Sequence, residues 1–115
     1  MFFELLLHKI YKNSKYSQIM VTEEQVREAL KQCYDPELNM DIITLELVYG
    51  IEVKYNNVKI RMTFTTPACP YGPLLLDEIQ RKVKEALPEI KDLKIDVVFD
   101  PPWQPSDELR AIFGI

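Results

Sequence analysis

The 115-residue sequence predicts an α+β fold, a two-layer sandwich in which a small mixed three-stranded sheet carries two helices on one face and a short C-terminal helix follows. Three observations predict it. Two β-rich runs, residues 48–55 and 58–66, stand back to back across an Asn pair. A helical repeat over residues 75–87 then separates the second run from a third, residues 94–99. An amphipathic segment with its own cap precedes all of them.

Taken in order, Thr22 followed by Gln25 reads as a capping box, and Val26, Ala29, Leu30 and Cys33 fall on one helical stripe. The first helix is therefore expected over about residues 23–33. Pro36 drives Asp35 away from helical backbone and ends it near Tyr34. Cys33, on the apolar stripe, is expected as a packed core thiol. Residues 42–49, IITLELVY, are too short a run to assign by periodicity. Asn tolerates positive φ, so Asn56-Asn57 is the expected hairpin turn. In the second strand Val58, Ile60, Met62 and Phe64 alternate with Lys59, Arg61, Thr63 and Thr65, which describes a sheet with one covered face.

Beyond PACPYGP, Leu75, Ile79, Val83 and Leu87 recur at helical spacing, with Asp77 and Glu78 early and Lys82 and Lys84 late, as the helix dipole favours. This helix stops at Pro88. The strand-helix-strand connection is expected to be right-handed, which sets the third strand parallel to the second. Asp100-Pro101-Pro102 ends that strand, Ser106 caps a last helix over residues 107–113, and Gly114 stops it.

Composition narrows the function classes. With 47% hydrophobic and 28% charged residues the chain resembles a water-soluble globular domain. A net charge of −4 without a Lys/Arg cluster argues against nucleic-acid binding. The first 19 residues carry three Lys and one Glu, whereas residues 20–115 hold 11 basic and 17 acidic side chains. That first stretch is too short and too interrupted, by Glu4 and His8, for a membrane anchor, and it has no signal-peptide pattern. Two readings of it stay open. Met20 is the natural initiator and residues 1–19 an upstream extension, or Phe2, Leu6 and Ile10 form a short docking helix. Residues 20–115 are the expected domain. Two cysteines are too few for a disulfide framework, so a reducing, cytoplasmic setting is expected.

The chemistry concentrates at TTPACPYGP. Cys69 stands in the loop that leaves the second strand and starts the second helix, where free N–H groups and the positive dipole end favour an anion such as a thiolate. Pro67, Pro70 and Pro73 restrict the loop, while Gly72 permits close approach. A packed or incidental cysteine is the alternative. Asp35 and Glu37 flank Pro36 and are read either as a solvated helix-ending turn or as carboxylates beside the thiol loop. Trp103 is read equally as a cap over the sheet edge or as a partner-binding aromatic. Hydrolase chemistry is disfavoured, because a cysteine nucleophile needs a base and the single His is His8. There is no phosphate-binding glycine loop and no zinc-spaced His/Cys pair.

Three stretches in order, DPELNMDIITLELVYGIEV, VKIRMTFTTPACPYGPLLLDEI and VVFDPPWQPSDELRAIFGI, resemble the iron-sulfur cluster assembly-associated domain family, which includes SufT-like proteins and the PaaD-like proteins of phenylacetate degradation. The resemblance covers residues 22–115. It implies the small α+β fold of the NifU C-terminal-like assembly domains. It implies that Cys69 is the family's reactive cysteine, that Asp35 and Glu37 match its DPE motif, and that Thr65 and Thr66 match the threonines before the cysteine. Asp100, Pro101, Pro102 and Trp103 match its closing DPPW.

Thr44 and Glu46 depart from the Asp and Gly frequent in the family, so no role is carried over to those positions from the resemblance. A C-terminal cysteine-bearing segment usual in PaaD-like members does not follow Ile115, which favours the SufT-like side.

Clusters are commonly held by four thiolates, and two cysteines cannot enclose one alone. The expected function is thus a non-enzymatic adaptor or carrier, with Cys69 a labile ligand and Pro70, Tyr71 and Trp103 candidate partner contacts. No cofactor is expected to stay bound, and an iron-sulfur cluster would be held only in passing. The expected partners are an assembly scaffold, a carrier P-loop ATPase, recipient apoproteins or a second copy of the chain, with no membrane or nucleic acid. The alternatives are a binding module without cluster contact and an accessory subunit of a multicomponent oxygenase.

Overall fold

The computed structural model describes residues 20–68 and 70–114, so both readings of residues 1–19 lie outside the described residues. The elements follow as α1 (Glu23–Leu30), β1 (Tyr34–Asp35), β2 (Met40–Asp41), β3 (Val48–Lys54), β4 (Asn57–Met62), α2 (Gly72–Ala86), β5 (Asp92–Val97) and α3 (Asp107–Phe113). The main sheet has the order β3-β4-β5, with β3 antiparallel and β5 parallel to β4, as the α+β prediction requires. Among the described residues no helix is long and apolar enough to cross a membrane.

The capping box at α1 is complete. Gln25 N–H donates to Thr22 Oγ1 at 3.2 Å and Thr22 N–H to Gln25 Oε1 at 3.0 Å. The helix ends at Leu30, three residues before the expected limit. Lys31, Gln32 and Cys33 instead donate to carbonyls three residues back, the tighter bonding that often finishes a helix. Cys33 stays on the apolar stripe, fully buried. The chain then forms a two-rung ribbon, Tyr34 opposite Asp41 and Asp35 opposite Met40, which no periodicity announced.

Residues 42–47 form no regular element, yet Ile42, Leu45 and Leu47 are all fully buried. Their run is apolar because it lines the core. The hairpin turn sits one residue earlier than expected, on Tyr55 (φ 52°) and Asn56 (φ 65°), with Lys54 opposite Asn57. Positive φ at both central residues describes a type I′ turn, whose twist matches the strands. Asn56 is buried because it also ties the fold: its Oδ1 accepts from Val21 N–H at 2.8 Å and its carbonyl from Lys91 N–H at 2.9 Å.

Strand β4 places Val58, Ile60 and Met62 on the core face and Lys59 and Arg61 on the open one. It stops at Met62 rather than continuing to residue 66. The core layer is completed by Val26, Ala29 and Leu30 of α1 and by Leu75, Ile79 and Val83 of α2. Because α2 starts at Gly72, Asp77 and Glu78 fall in its second turn, and the first turn carries no acid. Lys82 fastens the two helices together, since its Nζ reaches the Gln32 carbonyl at 2.7 Å and Glu78 at 2.8 Å. Strand β5 begins and ends two residues earlier than expected. At the end of the chain Ser106 Oγ accepts from Leu109 N–H, Leu109 enters the core, and Gly114 closes α3 at φ 74°.

Candidate functional site

The loop between β4 and α2 is built from its ends inward. Thr63 is fully buried and its N–H donates to the Leu47 carbonyl at 2.9 Å, which anchors the departing chain to the residue just before β3. Phe64 follows, half-buried against Phe99, with ring centroids 6.3 Å apart and tilted by 54°. The same ring fills the space where a side chain at 72 would start, since a Cβ there would lie 3.0 Å from Phe64 Cε2. Glycine at 72 therefore lets the start of α2 close down on Phe64.

Between these anchors Thr65 is half-buried and Thr66 exposed, and Thr66 Oγ1 accepts from Ala68 N–H at 3.0 Å, a local side-chain turn. Pro70 and Tyr71 are exposed. Tyr71 is the N-cap of α2 but makes no side-chain capping bond, and Pro73 occupies the first turn. Cys69 lies outside the described residues.

The DPE turn lies close by. Asp35 is only 2% exposed, and its Oδ1 accepts from Glu37 N–H at 2.8 Å and Leu38 N–H at 3.1 Å, while its own carbonyl accepts from Asn39 N–H at 2.8 Å. The carboxylate thus folds the turn from inside, and Asn39 completes it at φ 54°. Glu37 is exposed and joins that network through its backbone alone. A groove of about 430 Å³ separates this turn from the first half of α2, lined by Tyr34, Pro36 and Asn39 on one side and Leu74, Asp77 and Arg81 on the other. The structure therefore brings the DPE turn and the start of α2 together.

Leu74 is 67% exposed and sits off the Leu75-Ile79-Val83 stripe, which was the available sequence signal for an outward apolar contact. Tyr34 and Phe99 are likewise exposed aromatics that sequence reasoning did not single out.

Trp103 follows β5, which leaves the sheet at the same end as β4. It packs half-buried against the core, and its indole N–H donates to the Leu45 carbonyl at 2.7 Å. Tyr49 makes a parallel tie, its hydroxyl donating to the Pro101 carbonyl at 2.8 Å. The closing DPPW segment is thereby strapped to the loop before β3 and to β3 itself.

The second thiol, Cys33, is chemically quiet. Burial pushes it up from the ordinary 9.0 to about 11, Glu78 adds to the rise, and Lys82 and Arg81 oppose it. A thiol with that value stays protonated and un-nucleophilic at neutral pH. Stability depends on pH accordingly. Below pH 9 folded and unfolded chains both hold the proton, but between about 9 and 11 the unfolded chain releases it first, so stability falls as pH rises. Denaturant unfolding across this window should show a loss on the order of 2 kcal/mol that is absent in Cys33→Ala.

Comparison with known proteins bears on the whole arrangement. Residues 23–97 match the family model described as iron-sulfur cluster assembly protein. The chain is 39% identical over 82 residues to the Fe-S protein maturation auxiliary factor YitW of Bacillus subtilis, covering 70% of this chain and 79% of that one. It is 41% identical over 70 residues to the Fe-S protein maturation auxiliary factor SufT of Staphylococcus aureus, covering 60% and 78%. A conserved hypothetical protein from Thermotoga maritima has the same fold, with a TM-score of 0.75 at 40% identity over 84% of this chain and 98% of that one. The matched span holds both the DPE turn and the TTPACP loop, and on these likenesses the chain belongs to the iron-sulfur cluster assembly protein family.

Proposed function

We propose that the chain acts in iron-sulfur protein maturation as a non-enzymatic adaptor or carrier, with Cys69 as a single exchangeable ligand or partner contact. The carrying observation is the fate of the other thiol. The sequence has two cysteines, and Cys33 is fully buried and held protonated. Among the described residues no three His, Cys, Asp or Glu side chains converge on one point. Of the two thiols only Cys69 is left to coordinate, and on this reading a partner's groups supply the remaining bonds. A cluster held as cargo by so few bonds leaves readily, which suits transfer rather than storage.

The supporting residues take distinct roles. Asp35 shapes the turn that faces α2, Glu37 offers an exposed carboxylate beside it, and Thr65 and Thr66 set the backbone before the cysteine. Pro70 and Tyr71 are exposed on the far side of Cys69 in sequence and offer a surface to an assembly scaffold, a carrier P-loop ATPase or a recipient apoprotein. Trp103 ties the closing segment to Leu45 and leaves part of its ring exposed as a candidate partner contact.

The test is a cell lacking the natural protein, supplied with wild type or Cys69→Ala. Iron-sulfur enzyme activities should recover with wild type and stay low with the variant at equal protein levels. Full recovery with Cys69→Ala sinks the thiol role.

A further inference from the structure

Strand β5 is the outer strand of the main sheet, and among the described residues nothing pairs with its far edge. Backbone direction alternates along a strand. Val98 N–H donates to the Met62 carbonyl, so even-numbered residues of β5 turn toward β4 and Leu93, Ile95 and Val97 turn outward. Gln80 Nε2 takes the Leu93 carbonyl at 2.9 Å, in agreement with that parity. Beside this edge runs a groove of about 740 Å³ between β5 and α2, lined by Pro73, Leu76, Gln80 and Ile95. The opposite edge strand, β3, is interrupted by a bulge between Val48 and Gly50.

The open face of β5 carries charge of both signs. Lys94 and Asp96 project there, two residues apart. Lys94 stands directly opposite Lys59 of β4, a like-charge neighbour, whereas Asp96 stands opposite Arg61. Edge strands are commonly blunted by charged side chains, Lys above all, by Pro or by a bulge, whereas here Lys94 is accompanied by Asp96 two residues on, which a second copy can match. The register of β5 against β4 is unbroken from Asp92 to Val97.

We propose that two copies of this chain join through their β5 edges, antiparallel, with Ile95 opposite the partner's Ile95. Outward backbone groups must meet outward ones, which leaves five registers, centred on residues 93 to 97; those centred on Leu93 and Val97 pair only three residues, 92–94 and 96–98. Of the others, one sets Lys94 against the partner's Lys94, and another sets Asp96 against the partner's Asp96. The Ile95-centred register places each Lys94 against the partner's Asp96 and pairs residues 93–97, so Lys94 gains a carboxylate directly across from it, where its own sheet has Lys59. It also makes one continuous six-stranded sheet, covers the half-buried Ile95 and Val97, and exchanges the Gln80 bond at Leu93 for a backbone bond from the partner's Val97. This inference does not rest on the thiol role, and each can fail without the other.

Sedimentation and light scattering of the full chain over a micromolar dilution series test it. Wild type should dimerise, and Lys94→Asp and Asp96→Lys should each raise the dissociation constant at least about tenfold. An equimolar mixture of the two variants should recover dimers, because in the mixed pair both cross-strand positions again set a carboxylate against an ammonium. Lys94→Asp sets a carboxylate opposite Lys59 but also between Asp92 and Asp96, so a thermal unfolding midpoint equal to wild type in each variant is the control that ties a weakened dimer to the interface. A wild type that is monomeric throughout overturns the proposal and leaves the edge to an extended segment of another protein. A dimer whose dissociation constant is unchanged in both variants overturns it as well.

Discussion

Asp35→Ala should lower stability by about 2–4 kcal/mol, whereas Glu37→Gln, two residues away, should leave it within about 0.5 kcal/mol. The difference follows from where the carboxylates lie. Asp35 is buried and accepts two backbone N–H groups through one oxygen. Alanine removes the acceptor and leaves the amide of half-buried Leu38 without its partner. Asn at 35 keeps one oxygen in place and should cost about 1 kcal/mol. For a domain of this size a loss of about 3 kcal/mol should lower the melting temperature by more than about 10 °C, which thermal unfolding reads directly. An unchanged melting temperature in Asp35→Ala would show that the turn does not depend on its carboxylate. The same substitution should also loosen the groove wall formed by Tyr34, Pro36 and Asn39.

The second large effect belongs to Trp103. Its indole bonds the Leu45 carbonyl across 58 residues of sequence, and its ring packs half-buried against the hydrophobic core. Trp103→Ala loses both contributions and should destabilise by about 3 kcal/mol. Trp103→Phe keeps most of the apolar contact, loses the bond, and should cost about 1 kcal/mol. Urea unfolding of the pair separates the two. A tryptophan that served only a partner would leave both midpoints at the wild-type value.

The sequence made the helices and the faces of the strands legible because those depend on local spacing. Val26, Ala29 and Leu30, or Val58, Ile60 and Met62, point inward whatever the neighbouring loops do. Boundaries were less legible. The hairpin pivots on Tyr55 as well as Asn56, and an aromatic residue at positive φ carries no sequence signal; Asn56 was recruited by its bonds to Val21 and Lys91, both distant in sequence. The β1–β2 ribbon has two rungs, too few for any period to show.

At the candidate site, Asp-Pro-Glu announces a turn, but whether Asp35 faces water or the protein depends on the ribbon that forms around it. The groove facing α2 was illegible for the same reason, because its walls come from segments that only the fold brings together. The close contact of Gly72 with Phe64 is of that kind too. Gly72 read as a permissive residue, and the ring that requires it stands eight positions earlier.

The fold supplies a buried, protonated Cys33, a braced loop on either side of Cys69, and an internally bonded DPE turn beside the start of α2. The central claim is that Cys69 alone gives this chain its hold on an iron-sulfur cluster, and that the hold is weak. Anaerobic reconstitution with iron and sulfide, followed by visible absorption and by transfer to an apo-ferredoxin, tests it most directly. Wild type should develop a labile cluster spectrum and pass the cluster on, and Cys69→Ala should do neither while Cys33→Ala does both. A Cys69→Ala protein that acquires and delivers clusters like wild type would contradict the account.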